Sequence, residues 1–142
     1  MTLDMYQENI LEHYRNPHNK RKLDPAHVTQ KENNPLCGDV LEVYVLFGAD
    51  GKVAEVAFEG QGCAISQASM SMLTDELKGK AMDEVEAMGA DAIQEMVVVP
   101  LSPVRMKCAT LGIKAVQNGI AAYRVRHPGA DAGPEAAGAT SK

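Results

Sequence analysis

The chain has 142 residues, 45% of them hydrophobic and 23% charged, a composition typical of a globular domain and not of a disordered or fibrous chain. Its 14 Lys and Arg residues against 19 Asp and Glu give a net charge of −5, which argues against general binding to nucleic acid or to anionic membranes. No apolar run approaches the ~18–20 residues of a membrane span, and the first residues lack a secretory signal, so we expect a cytoplasmic protein.

Hydrophobic spacing and turn residues predict an α+β fold, in which a small antiparallel sheet packs against several helices and the last helix is long. The predicted elements are, in chain order, a helix over 3–15, an irregular polar arm over 18–36, strands over 41–47 and 53–58, helices over 65–77, 81–88 and 90–97, and a last helix beginning at Pro103. We expect one domain over 1–126, followed by a flexible tail over 127–142 that is rich in Gly, Ala and Pro.

Each of the three cysteines lies near the end of a predicted element. Cys37 precedes the first predicted strand, Cys63 follows the second strand and begins a helix, and Cys108 lies in the early turns of the last helix. The predicted hairpin brings Cys37 and Cys63 to the same end of the sheet. A helix N-terminus favours the thiolate at Cys63, and the cations of Arg105 and Lys107 favour it at Cys108. The pattern indicates a thiolate site, against the alternative that each cysteine is a small buried hydrophobe.

Asp39 adds a carboxylate to this set of thiols. It lies two residues after Cys37, on the same side of an extended segment. Thiolates are the ligands that iron–sulfur clusters and zinc prefer, whereas a hard carboxylate is easier to exchange. Three thiolates and one carboxylate therefore favour a site that accepts a cargo and releases it. The alternative for Asp39 is a turn or cap residue.

The segments around the cysteines resemble the U-type iron–sulfur cluster assembly scaffolds, the family of IscU, SufU and the N-terminal part of NifU. The three segments are Asn34-Pro35-Leu36-Cys37-Gly38-Asp39, Gly60-Gln61-Gly62-Cys63 and Ser102-Pro103-Val104-Arg105-Met106-Lys107-Cys108. The opening residues 6–17 also look like the first helix of that family, so the resemblance covers about residues 3–126.

This resemblance implies a scaffold and carrier that is not itself an enzyme. Members receive sulfur from a pyridoxal-phosphate cysteine desulfurase, assemble a transient [2Fe–2S] cluster and pass it to apo-proteins. It implies that Cys37, Cys63 and Cys108 are cluster ligands and sulfur acceptors, and that Asp39 is the labile ligand that lets the cluster leave. It also implies that zinc can occupy the same site.

Lys107 is a departure from the IscU branch, which usually has His immediately before the third cysteine. Lysine at this position, followed by Ala109-Thr110-Leu111, looks more like the SufU branch, whose site holds zinc through three Cys and one Asp. SufU proteins typically carry an insertion between the second and third cysteines, however, and the spacing from Cys63 to Cys108 is too short to contain it, so the resemblance combines IscU-like spacing with SufU-like motifs. An alternative function is therefore a zinc-dependent sulfur acceptor for the desulfurase, in which Cys108 attacks the persulfide. A second alternative is a binding module with a structural zinc. Lys107 itself is interpreted as a ligand in its neutral form, as a cation that assists Cys108, or as a solvated helix lysine.

The segment Leu101-Ser102-Pro103-Val104-Arg105 also departs from the IscU branch. A dedicated Hsp70-type chaperone recognises that branch through a different sequence at this point, so the resemblance does not extend to that partner. The four histidines show no common ligand spacing, and we interpret them as non-ligands.

Overall fold

The computed structural model describes residues 3–35 and 38–128. Its elements are α1 (Leu3–Arg15), β1 (Val28–Asn34), β2 (Asp39–Phe47), β3 (Val53–Gln61), α2 (Ala64–Leu77), α3 (Met82–Glu86), α4 (Ala90–Val97) and α5 (Pro103–Arg126). The predicted α+β class with a long last helix is confirmed. None of the described helices is long and apolar enough to cross a membrane. Most of the predicted tail, residues 129–142, lies outside the described residues, and its flexibility stays a prediction.

The sheet is antiparallel, with β2 between β1 and β3. β2 and β3 form the predicted hairpin, but β1 lies within the arm that was predicted to be irregular over 18–36, so that prediction was wrong over 28–34. β1 has the polar sequence VTQKENN and buries only its two end residues, Val28 and Asn34. It therefore lacks the apolar alternation that signals a strand, and its backbone pairing with β2 holds it in the sheet.

One face of the sheet carries the hydrophobic core, which α2 and α5 cover, while α1 packs against α2. The buried side chains of the core include Leu41, Val43, Val45, Val56, Phe58, Leu73, Val116, Ile120 and Tyr123. Alternation of apolar residues along β2 places its inward side chains in this core, which is the usual arrangement for a sheet covered on one face.

Two glycines bring α5 very close to its neighbours. A Cβ on Gly112 would lie 2.5 Å from the Met70 Sδ of α2, and a Cβ on Gly119 would lie 2.4 Å from the Val28 Cγ1 of β1. Neither position has room for a side chain, so α5 packs directly on α2 and β1. This packing fixes where the N-terminal half of α5, and with it Cys108, lies relative to the sheet.

Candidate metal centre

The candidate centre lies where β2 begins and β3 ends. Asp39 is the first residue of β2 and is fully buried. The register pairs Val40 with Gln61 at the end of β3, so the chain that leaves β3 passes beside Asp39 and reaches Cys63 two residues later. On its other side Asp39 is opposite Asn34 of β1, which is also buried. The hairpin therefore brings Asp39 and Cys63 together from opposite ends of two strands, as its predicted geometry implies.

The two carboxylate oxygens of Asp39 make different contacts. Oδ1 accepts a hydrogen bond of 2.8 Å from the backbone N–H of Cys63. Oδ2 lies 3.8 Å from the Cys63 Sγ, whose thiol donates to it. One oxygen thus anchors the carboxylate to the backbone, and the other faces the thiol.

Cys63 is also the N-cap of α2, with extended backbone angles. Its Sγ accepts a 3.5 Å hydrogen bond from the backbone N–H of Ser66, and the Ser66 hydroxyl donates to the Cys63 carbonyl at 3.1 Å. A sulfur in place of the usual N-cap oxygen satisfies one of the free N–H groups of the first turn. The positive end of the helix dipole therefore faces this thiol, as the sequence predicted.

Gly62 makes the close approach of Asp39 feasible. A Cβ at this position would lie 2.2 Å from the Asp39 Oδ1 and 2.8 Å from the Ser66 Oγ. Any side chain at Gly62 would displace the carboxylate that Cys63 holds. Gly62 belongs to the Gly60-Gln61-Gly62-Cys63 segment that carries the family resemblance, but its contact with Asp39 and that of Ser66 with Cys63 were not predicted. The only local signal was the pair of glycines, Gly60 and Gly62, immediately before the cysteine.

Cys108 approaches the centre from α5 and is 1% exposed. Ligand atoms of Asp39, Cys63 and Cys108 all lie within 4.8 Å of one another. Two ligands at ordinary Zn–S and Zn–O bond lengths on a tetrahedral ion would be separated by roughly 3.5 Å, close to the observed separation of the Cys63 sulfur and the Asp39 Oδ2. Within 3–35 and 38–128, this is the group of ligand-type side chains that converges closely enough to hold a metal.

Cys37 and Lys107 are predicted site residues that do not belong to this group of described ligand side chains. Cys37 lies outside the described residues, so its role as a ligand stays a prediction. Lys107 is exposed on α5 and lines a surface pocket together with Asn33, Asn34 and Pro35. The fit of the described donors to a soft metal or a cluster thus rests on Asp39 with two thiols, and the chain places Cys37 two residues before Asp39.

The described histidines lie in other surroundings. His13 and His18 sit between α1 and α2, where the His13 Nδ1 contacts the Ser71 Oγ at 2.7 Å and the His18 Nδ1 contacts Asp75 at 2.5 Å. Burial lowers the pKa of His13, and the nearby His18 lowers it further. His27 and His127 both contact the ring of Tyr123. None of the four belongs to the group formed by the described ligand side chains.

Comparison with protein families matches residues 5–129 to the NifU-like N-terminal domain. Among curated proteins, the chain is 36% identical over 135 residues to the zinc-dependent sulfurtransferase SufU of Bacillus subtilis, covering 82% of this chain and 90% of that protein. It is 37% identical over 134 residues to the iron–sulfur cluster assembly scaffold protein IscU of Streptococcus pyogenes, covering 82% of each chain. It is 32% identical over 126 residues to the Escherichia coli scaffold IscU, with 84% and 94% covered.

Solved structures give the same grouping. A putative cluster assembly scaffold for the SUF system from Fervidobacterium islandicum matches with a TM-score of 0.66 and 28% identity, covering 84% of this chain and 99% of that one. The N-terminal part of a NifU-like protein from Brucella abortus matches with a TM-score of 0.69 and 26% identity, covering 88% and 99%.

Proposed function

The chain belongs to the NifU-like N-terminal domain family, and from this premise we propose that it is a scaffold for iron–sulfur cluster assembly. In this proposal it receives sulfur from a cysteine desulfurase and assembles a labile [2Fe–2S] cluster on Cys37, Cys63 and Cys108, with Asp39 as the fourth ligand. It then hands the cluster, its cargo, to recipient apo-proteins. The relatives named as assembly scaffolds, at 32% and 37% identity over most of the chain, support this function.

The observation that carries the proposal is the convergence of Asp39, Cys63 and Cys108 from β2, the N-terminus of α2 and α5. Thiolates are the usual ligands of iron–sulfur clusters. A fourth thiolate would hold a cluster permanently, whereas a carboxylate is a hard and weaker ligand for this soft site. The donor set therefore suits a cluster that must leave again.

The hydrogen bond between Asp39 and Cys63 gives release a physical basis. The proposal has Oδ2 alone bind the metal, which leaves Oδ1 free to keep its 2.8 Å bond to the backbone N–H. When the cargo leaves, the buried carboxylate is not left without a partner, which would otherwise cost several kcal/mol. We therefore assign Asp39 two roles, a single-oxygen ligand and a brace of the empty centre.

A zinc-dependent sulfur acceptor is the second candidate function. It is favoured by the relative SufU at 36% identity and by an Asp39–Cys63 separation that suits a tetrahedral ion. Zinc, when bound, would be held by Cys37, Asp39, Cys63 and Cys108 and would stabilise the negative charge of its ligands.

The transfer step in this second candidate uses Cys108 as nucleophile. Its sulfur attacks the terminal sulfur of the desulfurase persulfide, so that a new S–S bond forms on Cys108. The S–S bond of the desulfurase persulfide breaks, and its electron pair leaves with the desulfurase thiolate. Lys107, next in the chain, is proposed to assist as a cation that favours the Cys108 thiolate.

Anaerobic reconstitution of metal-stripped protein tests the two candidates. Ferrous iron, L-cysteine, a cysteine desulfurase and a thiol reductant are supplied, visible absorbance is followed, and the product is mixed with an apo-ferredoxin. A cluster that forms and then moves supports the scaffold. Cys→Ser at any of Cys37, Cys63 or Cys108 should abolish stable assembly, while the control Val125→Ser, at an 80% exposed position, should not.

Other outcomes contradict the scaffold proposal. Tight zinc binding with faster desulfurase turnover, but no cluster, would make the zinc-dependent sulfur acceptor the leading function. If neither activity is seen and chelation unfolds the chain, the zinc is structural, because structural zinc contributes folding free energy directly. We propose the cytoplasm as the site of action, since a reducing compartment keeps the three thiols free.

A further inference from the structure

A small pocket lies beside the candidate centre, between the end of β1 and the N-terminal half of α5. Its volume is about 280 Å³, and it is lined by Asn33, Asn34, Pro35, Lys107, Thr110, Leu111 and Lys114. This is smaller than the roughly 300–1,000 Å³ of pockets that enclose drug-sized ligands, so it suits one side chain or a small anion.

Both charged side chains that line this pocket are cations. Lys107 and Lys114 are exposed and lie seven residues apart on α5, so two turns of the helix place them on one face. Neither lysine forms an ion pair with any residue in the described parts of the chain. The Thr110 hydroxyl is already engaged as a donor to the Met106 carbonyl at 2.9 Å, so the two lysines are the groups that would hold an anion in the pocket.

Glu32 is an acidic residue close enough to Lys114 for their charges to interact, and its carboxylate is already engaged. Its carboxylate accepts hydrogen bonds from Asn118 at 2.9 Å and from Gln30 at 3.0 Å. These two bonds lower the pKa of Glu32, and the charge of Lys114 contributes a smaller lowering. Glu32 is not part of the pocket lining, so the pocket keeps its positive character.

The pocket adjoins the metal centre through two residues. Asn34 is opposite Asp39 in the strand register, and Lys107 directly precedes Cys108. The helix that forms one wall, α5, has five basic residues and no acidic residue, although the whole chain is acidic. A partner that docks over the centre therefore meets positive charge on this side.

We propose that this pocket binds a carboxylate side chain of the cysteine desulfurase and so orients that partner over the metal centre. The inference rests on the proposed function, since it names the contact by which the sulfur donor is recognised. A protein carboxylate is favoured over a free anion because both cations are exposed at the ends of long flexible side chains. Such groups form the rim of protein interfaces, where they raise association rates and choose the partner.

The test compares Lys114→Glu and Lys114→Gln with the control Lys78→Glu, which makes the same charge change at an exposed position just after α2. Affinity for the desulfurase is measured by calorimetry at low and at high salt, and zinc affinity is measured on the same proteins. We expect Lys114→Glu to weaken desulfurase binding about tenfold, mostly at low salt, and Lys114→Gln to weaken it less. Zinc affinity should not change, and Lys78→Glu should bind like the unmodified chain.

A second arm distinguishes a protein carboxylate from a free one. Citrate and L-cysteine are titrated into the unmodified chain and into Lys114→Gln. Saturable binding of either anion that Lys114→Gln removes, together with unchanged desulfurase affinity in Lys114→Glu, would overturn the proposal in favour of a small-anion site. Restoration of the Lys114→Glu complex by an Asp→Lys or Glu→Lys change on the desulfurase would support the proposal directly.

The outcomes also separate this inference from the proposed function. If the unmodified chain binds the desulfurase and is loaded with sulfur, and Lys114→Glu does both equally well at low salt, only the pocket assignment fails. If the unmodified chain neither binds the desulfurase nor accepts sulfur, the proposed function fails and the pocket proposal fails with it.

Discussion

Gly62 gives a direct test of the geometry of the centre, because the substitution Gly62→Ala adds one methyl group between Asp39 and α2. The new Cβ would lie 2.2 Å from the Asp39 Oδ1, whereas ordinary contact begins at 3.4 Å, so the oxygen must retreat by about 1.2 Å. A retreat of that size lengthens the 2.8 Å hydrogen bond from the Cys63 N–H beyond the range of such a bond. Loss of a hydrogen bond to a charged acceptor costs about 1.5–3 kcal/mol, and we expect Gly62→Ala to lower the free energy of unfolding by that amount.

The same displacement moves Asp39, which we propose as a metal ligand. We expect the zinc affinity of Gly62→Ala to fall about 10- to 100-fold, the range seen when groups that orient metal ligands are changed. Competition with a chromophoric chelator measures the affinity, and urea unfolding of the metal-free chain measures the stability. The control is Gly79→Ala, at a glycine that also has a positive φ but whose added Cβ meets nothing within 4 Å, so it carries the backbone strain without the contact. If Gly62→Ala matches Gly79→Ala in both measurements, the assigned contact between Asp39 and Cys63 is wrong.

Three further predictions follow from other residues. Asp39→Ala should slow cluster transfer to an apo-ferredoxin and lower the free energy of unfolding of the metal-free chain by about 1–3 kcal/mol. Asp39→Asn keeps an oxygen for the Cys63 N–H and should retain most of that stability. Faster transfer from Asp39→Ala would show that this carboxylate is not the labile ligand. The lowered pKa of His13 means that the unfolded chain binds a proton at this histidine more readily than the folded chain does. The stability that neutral His13 contributes is therefore complete above pH 6.5 and is lost as the pH falls through the lower folded-state pKa. Urea unfolding across this range should give a shallower dependence of the free energy of unfolding on pH in His13→Gln, and an unchanged dependence would contradict the assignment. Val98 has φ 68° and ψ −46°, which is a strained γ-turn for a β-branched residue. Val98→Gly should therefore raise the free energy of unfolding by about 1 kcal/mol, while Val125→Ala at an exposed position leaves it unchanged. A loss of stability in thermal unfolding of Val98→Gly would refute the strain.

The α+β class and the hairpin could be predicted because β2 carries apolar alternation, and a Gly-containing turn leads from it into the apolar residues of β3. β1 could not, since its residues between Val28 and Asn34 are polar, and backbone hydrogen bonds to β2 together with packing against α5 place it beside the hairpin. Such an edge strand depends on a partner that is distant along the chain, and local pattern does not show it.

The closeness of Asp39 and Cys63 could be predicted from local pattern, whereas other contacts of the candidate site could not. Hairpin geometry was enough to bring Asp39 close to Cys63, because both lie at strand ends. The second role proposed for Asp39, as a brace of the empty centre, depends on a close approach at Gly62 that only the folded backbone reveals. The seven-residue spacing of Lys107 and Lys114 was visible in the sequence. The pocket that the two lysines line could not be predicted, because its other wall is the end of β1, which is distant along the chain.

The glycine contacts of α5 extend the sequence constraints of the centre well beyond its ligands. Gly119 lies eleven residues after Cys108, which is roughly 16 Å along a helix that rises 1.5 Å per residue. A methyl group at Gly119 would overlap Val28 of β1, so we expect helix α5 to tilt or shift as a unit. The thiol of Cys108 in the N-terminal half of α5 would move with the helix. A substitution far from every proposed metal ligand should therefore alter metal affinity. Conversely, a screen for variants with weakened metal binding should recover positions along the whole α5–β1 contact.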